Sequence, residues 1–314
     1  MRVLVVGAGA VGGYFGGCLA RAGRDVMFLV RPRRTAEIAA RGFGIHSVGS
    51  NPEAIEIRTI ASNQIETAYD LVLLSCKAYD LDGAIADFAS AVGPETTILP
   101  LLNGIQHVDA LSKRFGAERV VGGLCAISAR LNENGHVVLL GRTPSVTFGE
   151  WDGGRSRRID AIAATLSDSG FDTKVSVVIQ LEMWEKWVLL AALAGITCLM
   201  RGSVGDIVGA DAGDLTEILL EECRQIAAAQ GQIVRPQIME RMRATLTQAG
   251  SPFTASMLRD LERGGRIEAE HVIGDLLRRR SDSASPSCSL LEISYAHLKA
   301  YEVRQARERL SLAT

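Results

Sequence analysis

Short apolar runs and amphipathic stretches alternate through the first half of the chain. RVLVV at 2–6, DVMFLV at 25–30, LVLLSC at 71–76 and TILPLLN at 97–103 are apolar on consecutive rather than alternate positions. That pattern predicts strands buried on both faces, as in a parallel sheet covered by helices. The intervening stretches 10–22, 33–41, 80–91 and 105–115 read as helices, giving the strand–helix alternation of an α/β unit. Three further runs within 120–149, VVGGLCAISA, HVVLLG and SVTFGE, read as strands added antiparallel to close the sheet. A turn-rich segment, EWDGGRSRR at 150–158, leads into another helix and a short strand near 171–175.

From about residue 179 the period changes to helical and stays so, with breaks at RGSVGD (201–206), GQIVRPQ (231–237) and SDSASPSCS (281–289). The expected architecture is a Rossmann domain, α/β with a doubly wound and mainly parallel sheet, over 1–175. An all-α domain over 176–314 follows. A chain of 314 residues is long for one core and comfortable for two.

Charge narrows the function classes. Thirty-four basic and 36 acidic residues leave a net charge of −2, which gives no electrostatic case for nucleic acid or an anionic membrane as partner. The longest apolar run, Trp187 to Met200, is 14 residues, short of the roughly 20 that a spanning helix needs. Six scattered cysteines without a Cys-x-x-Cys pair fit free thiols in a reducing compartment better than a disulfide frame or a zinc site. The five histidines show no metal-ligand spacing, so no metal is expected. A cytoplasmic protein is the reading, and a homodimer is compatible with it.

Two motifs carry chemistry. VVGAGAVGGYFG places Gly7, Gly9 and Gly12 in G-x-G-x-x-G spacing between an apolar strand ending at Val6 and a helix opening at Ala10. In that context Gly7 permits the tight turn, Gly9 lets a pyrophosphate reach the backbone, and Gly12 lets helix and strand pack closely. At the end of the second strand an NAD-binding unit would place an acid for the ribose 2′-hydroxyl. This chain has FLVRPRR instead. A guanidinium at Arg31 pairs with a 2′-phosphate, so NADP(H) is the expected cofactor, with Arg33 or Arg34 left to cap an exposed loop.

The second motif is QLEMWEKWVLLAALAG at 180–195, where Lys186 stands between two tryptophans at the mouth of an apolar helix. It is either a solvated lysine, paired with Glu182 or lying along Trp187, or a catalytic cation.

SCKAYD (75–80), LLNGI (101–105) and EMWEKW (182–187), taken with the glycine loop and the strand-end arginine, resemble the ketopantoate reductase (2-dehydropantoate 2-reductase) family from Arg2 to about Tyr301. The resemblance implies a helical domain like that of 6-phosphogluconate dehydrogenase, and reduction of a 2-oxo acid by NADPH. It also implies roles for residues. Gly7, Gly9 and Gly12 are similar to the family's pyrophosphate loop, and Arg31 and Lys77 to its 2′-phosphate contacts. Asn103 is similar to the asparagine beside nicotinamide and substrate. Lys186 resembles the catalytic lysine. FTASMLRDLERGGRIEAEHV (253–272) resembles the segment that supplies a serine to the substrate carboxylate, here Ser256, and an active-site glutamate, here Glu268.

Local alternatives stand beside these roles: Lys77 as surface charge, Asn103-Gly104 as a turn dipeptide, Ser256 as a helix cap, and Glu268 as a partner of Arg266 or another surface cation. The chain departs from the family where asparagines four and eight residues after the lysine are expected: it has Leu190 and Ala194. A third asparagine, three before the serine, is replaced by Phe253. Two other functions compete. One is a β-hydroxyacid dehydrogenase of the 6-phosphogluconate dehydrogenase type, whose glycine-rich segment before the lysine is not found. The other is an NADPH-sensing protein without turnover.

Overall fold

The computed structural model describes residues 1–141, 143–281 and 288–313. The expected break at 281–289 therefore lies largely outside the described residues. The chain divides into two compact units, Met1–Gln180 and Leu181–Thr314.

In chain order the first unit contains β1 (Arg2–Val6), α1 (Ala10–Arg21), β2 (Asp25–Leu29), α2 (Pro32–Arg41), β3 (Gly44–Ser47), β4 (Glu53–Ala54) and β5 (Arg58–Ile60). It continues with β6 (Leu71–Leu74), α3 (Leu81–Phe88), β7 (Thr97–Pro100), α4 (Gln106–Phe115), β8 (Gly122–Ala126) and β9 (Ala129–Leu131). Last come β10 (Val137–Leu139), β11 (Ser145–Gly149), α5 (Arg157–Leu166) and β12 (Asp172–Val175). Strands β5-β2-β1-β6-β7 form one fully parallel sheet. Its central strands are buried along their length, Val3, Leu4, Leu71, Val72 and Ile98 being fully inaccessible. Hence they read as continuous apolar runs. This is the doubly wound Rossmann arrangement, with the order reversing between β1 and β6.

The strands of 120–149 do not extend this sheet in the way their sequence suggests. β8 and β11 pair antiparallel, with β12 parallel to β11. β9 and β10 join β3 and β4 in a third sheet, where β10 runs parallel to β3. Among the described residues only the isolated bridge Ile98–Val120 continues the ladder beyond β7. The reason is that β10 finds its partner in β3, a four-residue strand too short for its own apolar pattern to show.

Helix α1 fills the space between the first and third sheets. A Cβ on Gly16 would stand 2.6 Å from the Phe28 ring and 2.9 Å from Val5. On Gly13 and Gly17 it would stand 2.9 Å from Val137 and 2.8 Å from Ile45. Bare backbone at these positions lets both sheets close on the helix.

The second unit is helical among its described residues: α6 (Ile179–Met200, opening at the unit boundary), α7 (Val204–Gly209), α8 (Gly213–Ala229), α9 (Pro236–Leu246), α10 (Ser256–Glu262), α11 (Asp275–Arg278) and α12 (Leu290–Ala313). α6 is long and apolar enough to cross a membrane, but 72% of its most apolar window is buried inside the protein. An apolar surface all round marks it as a core helix. Glu222 of α8 caps α12, accepting from Leu290 N at 2.9 Å and from the Ser289 hydroxyl at 2.6 Å. Directly before α11 the backbone widens into a π turn over Glu270–Gly274.

Candidate active site

The first unit carries the glycine-rich loop between β1 and α1. β1 ends at Val6, and Gly7 turns the chain with φ +95°, its N–H donating to Leu29 O at 3.0 Å. Only glycine adopts that backbone without strain. Gly9 is the N-cap of α1, in extended conformation and without a side-chain cap. A Cβ there would meet nothing within 4 Å. The open ground in front of it, facing unpaired N–H groups at a helix start, fits a pyrophosphate. A Cβ on Gly12 would fall 2.0 Å from Ser75 Oγ and 2.3 Å from Gly7 O. Ser75 is held in place by donating to Val6 O at 2.9 Å. Gly7 thus makes the turn and Gly12 the close packing that their spacing implies.

The arginines after β2 separate clearly. Arg34 is locked in structure, donating to Gly135 O at 2.6 Å and pairing with Glu37. Arg33 is solvated and pairs with Glu37 at 3.1 Å. Arg31, at the N-cap of α2, remains 64% exposed, and its guanidinium lies 3.4 Å from Asp80. Asp80 closes the short 3₁₀ turn that Lys77 opens, donating its N–H to Lys77 O at 2.9 Å. The structure therefore brings Arg31 and the Lys77 turn together at the strand ends of β2 and β6. Sequence reading missed Asp80, although it lies within SCKAYD. Asn103 is partly buried three residues beyond β7, where Gly104 turns the chain with φ +75°. Among the described residues its amide has no hydrogen-bond partner.

The second unit supplies the candidate acid. Lys186 is partly buried on α6 and makes no ion pair or hydrogen bond among the described residues. The pair with Glu182, one of the alternatives for Lys186, does not form; Glu182 lies 3.7 Å from Arg235. Glu185 is buried and takes Arg235 through three donors, the backbone N–H at 3.0 Å, Nε at 2.8 Å and Nη2. With the neighbouring carboxylates engaged by Arg235, the ammonium of Lys186 is left to itself.

At about 100° per residue, Trp184 stands roughly 160° around the helix from Lys186. The two indoles lie 4.9 Å apart, with the Arg279 guanidinium 5.9 Å and 5.6 Å from their ring centres. Trp187 donates its indole N–H to Val272 O at 2.8 Å.

Glu268 is partly buried just before the π turn, its carbonyl accepting from Val272 N at 3.0 Å. His271, buried inside the turn, is pushed below the usual histidine range by desolvation, with Glu268 and Asp275 opposing that shift. Ser256 is exposed at the first position of α10, whose N-cap is Ala255, so the helix-cap role for Ser256 is not realised. Leu190 and Ala194 follow Lys186 along one face of α6 at four-residue spacing. Phe253 is 41% exposed, its carbonyl accepting from Val204 N at 2.9 Å.

Among the described residues no group of three His, Cys, Asp or Glu side chains could hold a metal ion. A concavity of about 610 Å³ in the helical unit, lined by Glu217, Glu221, Arg243 and Cys288 among others, includes none of the residues considered so far except Glu222, the α12 cap.

Comparison with known proteins agrees with this description. The family model of ketopantoate reductase PanE/ApbA matches residues 3–153, and its C-terminal counterpart matches 178–302. An uncharacterized oxidoreductase of Bacillus subtilis (strain 168), YkpB, is 35% identical over 310 residues, 97% of this chain and 100% of that protein. The 2-dehydropantoate 2-reductase of Archaeoglobus fulgidus is 29% identical, covering 88% of this chain and 90% of its own. The crystal structure of 2-dehydropantoate 2-reductase from Methylococcus capsulatus superposes with TM-score 0.84 at 28% identity, over 97% of this chain and 98% of that one. A ternary structure of D-mandelate dehydrogenase with NADH and anilino(oxo)acetate shares the fold, with TM-score 0.86 at 22% identity over 98% and 100% of the two chains. The glycine loop on a parallel sheet, the helical unit built on α6 and the match over both halves lead to one statement: the chain belongs to the ketopantoate reductase family of oxidoreductases.

Proposed function

We propose that the protein reduces a 2-oxo acid to the 2-hydroxy acid with NADPH, and that Lys186 is the general acid. The observation that carries this reading is Lys186 itself, a partly buried cation without a partner among the described residues, on a helix whose neighbouring carboxylates are engaged by Arg235. A lysine kept only for surface charge would lie solvated or paired.

Gly7, Gly9 and Gly12 would hold the pyrophosphate, with Arg31 and Lys77 at the 2′-phosphate. A nicotinamide cofactor bound there would supply the hydride. As the hydride reaches the carbonyl carbon, negative charge develops on oxygen; the Lys186 ammonium stabilises it and then gives up a proton to form the hydroxyl. Asn103 offers an amide to the reacting groups, Ser256 a hydroxyl to the substrate carboxylate, and Glu268 the compensating charge. Leu190, Ala194 and Phe253 offer a hydroxylated acid no amide partners, which favours a 2-oxo acid with an apolar tail. A cytoplasmic location goes with this reading, as does a small-molecule partner rather than nucleic acid or membrane.

The test is NADPH oxidation against a panel of 2-oxo acids, with Lys186→Ala as the variant. Lys186→Ala should fold and bind NADPH but lose kcat by at least about 10²-fold. Turnover preserved within a few-fold would return Lys186 to the role of a surface residue.

A further inference from the structure

Trp187 directly follows Lys186 and is 1% exposed. Its indole N–H reaches across the helical unit to Val272 O at 2.8 Å. A buried tryptophan commonly finds some acceptor for its N–H, so the plain reading is a satisfied core side chain.

Three observations carry further. The acceptor lies in the π turn Glu270–Gly274, where Asp275 N donates five residues back to Glu270 O. Such turns are rare and recur at functional sites. Next, the residue that the indole grips is the one whose N–H binds the Glu268 carbonyl at 3.0 Å. Finally, α12 holds the same turn: the Tyr295 hydroxyl donates to Glu270, and a Cβ on Gly274 would stand 2.9 Å from the Tyr295 ring. The widened turn is thus fixed by side chains from two helices, and one of these belongs to the neighbour of Lys186.

We infer that Trp187 is a positioning residue, whose indole N–H fixes the Glu268 backbone against the helix that carries Lys186. The inference rests on the reading of Lys186 and Glu268 given under Proposed function. Residues that act as a unit are grossly non-additive when changed together, and a small misplacement of a reacting group can cost about 10²-fold.

The experiment is a cycle of Trp187→Phe, Glu268→Gln and the double variant, with kcat on the best 2-oxo acid, NADPH affinity and melting temperature measured for each. Trp187→Phe should lower kcat by about ten- to a hundred-fold and leave NADPH affinity within two-fold. In the Glu268→Gln background the same change should alter kcat by less than about two-fold, which loss of general stability would not produce.

Full kcat in Trp187→Phe, or an equal loss in both backgrounds, overturns the inference. Lys186→Ala tells the two readings apart. If Lys186→Ala and Glu268→Gln lose turnover while Trp187→Phe does not, only this inference falls. If both keep turnover, the proposed chemistry falls and takes the inference with it. Should Trp187→Phe fail to fold, placing benzothienylalanine at 187 keeps the ring volume and removes only the N–H donor. The same outcomes then decide.

Discussion

Gly9 and Gly12 stand three residues apart in one motif, yet alanine at each should fail for opposite reasons. At Gly12 the new methyl lies 2.3 Å from the Gly7 carbonyl and 2.0 Å from Ser75 Oγ. The serine can rotate away by giving up its bond to Val6 O, about 1 kcal/mol. The backbone carbonyl cannot rotate, so α1 has to lift by about 1 Å to restore ordinary contact. Overpacking of that kind costs about 1–3 kcal/mol, offset by up to about 1 kcal/mol of helix propensity gained over glycine. The melting temperature should fall by roughly 2–8 °C.

At Gly9 a methyl meets nothing within 4 Å, and φ −82° suits alanine. Gly9→Ala should therefore melt with the parent. Its methyl would occupy the ground where a pyrophosphate approaches, and NADPH binding should weaken at least about tenfold, or 1.4 kcal/mol. Scanning calorimetry and titration of NADPH by fluorescence separate the two effects. A Gly9→Ala protein that binds NADPH like the parent would refute the assignment of this loop.

Four further outcomes follow from the same structure. Arg31 is exposed and shares its guanidinium with Asp80, so Arg31→Ala should cost NADPH only about tenfold, the low end for a charge-assisted contact, and spare NADH. Asp80→Asn should tighten NADPH, and dissociation constants for both cofactors check the pair. Kinetics on the substrate panel should rank an apolar 2-oxo acid above ketopantoate, since an unpaired hydroxyl costs about 1–3 kcal/mol; comparable kcat/KM values would contradict this. Glu150 is held below the usual carboxylate range of 4.5 by its hydrogen bond to Arg158, against the opposing effect of burial. A depressed pKa contributes stability above the unfolded value and loses it as pH falls through the folded one. Glu150→Gln should therefore melt lower at pH 7, and the gap to the parent should narrow below about pH 4.5.

The strands of the parallel sheet were legible because burial on both faces writes itself as consecutive apolar residues. β5 was not, since Arg58–Ile60 is a short, largely uncovered edge strand. β3 and β4 left no period to read, being only four and two residues long. The glycine spacing gave the loop, but Gly13, Gly16 and Gly17 carried no recognisable spacing, because their role depends on two sheets distant in sequence. In the helical unit the lysine was visible as a charge in an apolar run. That its neighbours Glu182 and Glu185 answer to Arg235, some fifty residues on, is a tertiary fact. So is the π turn after Glu268, whose partners Trp187 and Tyr295 lie far from it in sequence.

The confinement of α1 bears on how the protein could change over time. Gly12, Gly13, Gly16 and Gly17 all abut groups at contact distance or closer, so the helix offers almost no room for drift. Any lineage that shifts its cofactor preference would have to do so elsewhere. On the proposed reading, such substitutions would fall at Arg31 and the Lys77–Asp80 turn, at the strand ends rather than within the sheets. The fold thus separates a frozen mount from an adjustable rim, and directed evolution of cofactor use would gain most from libraries confined to that rim.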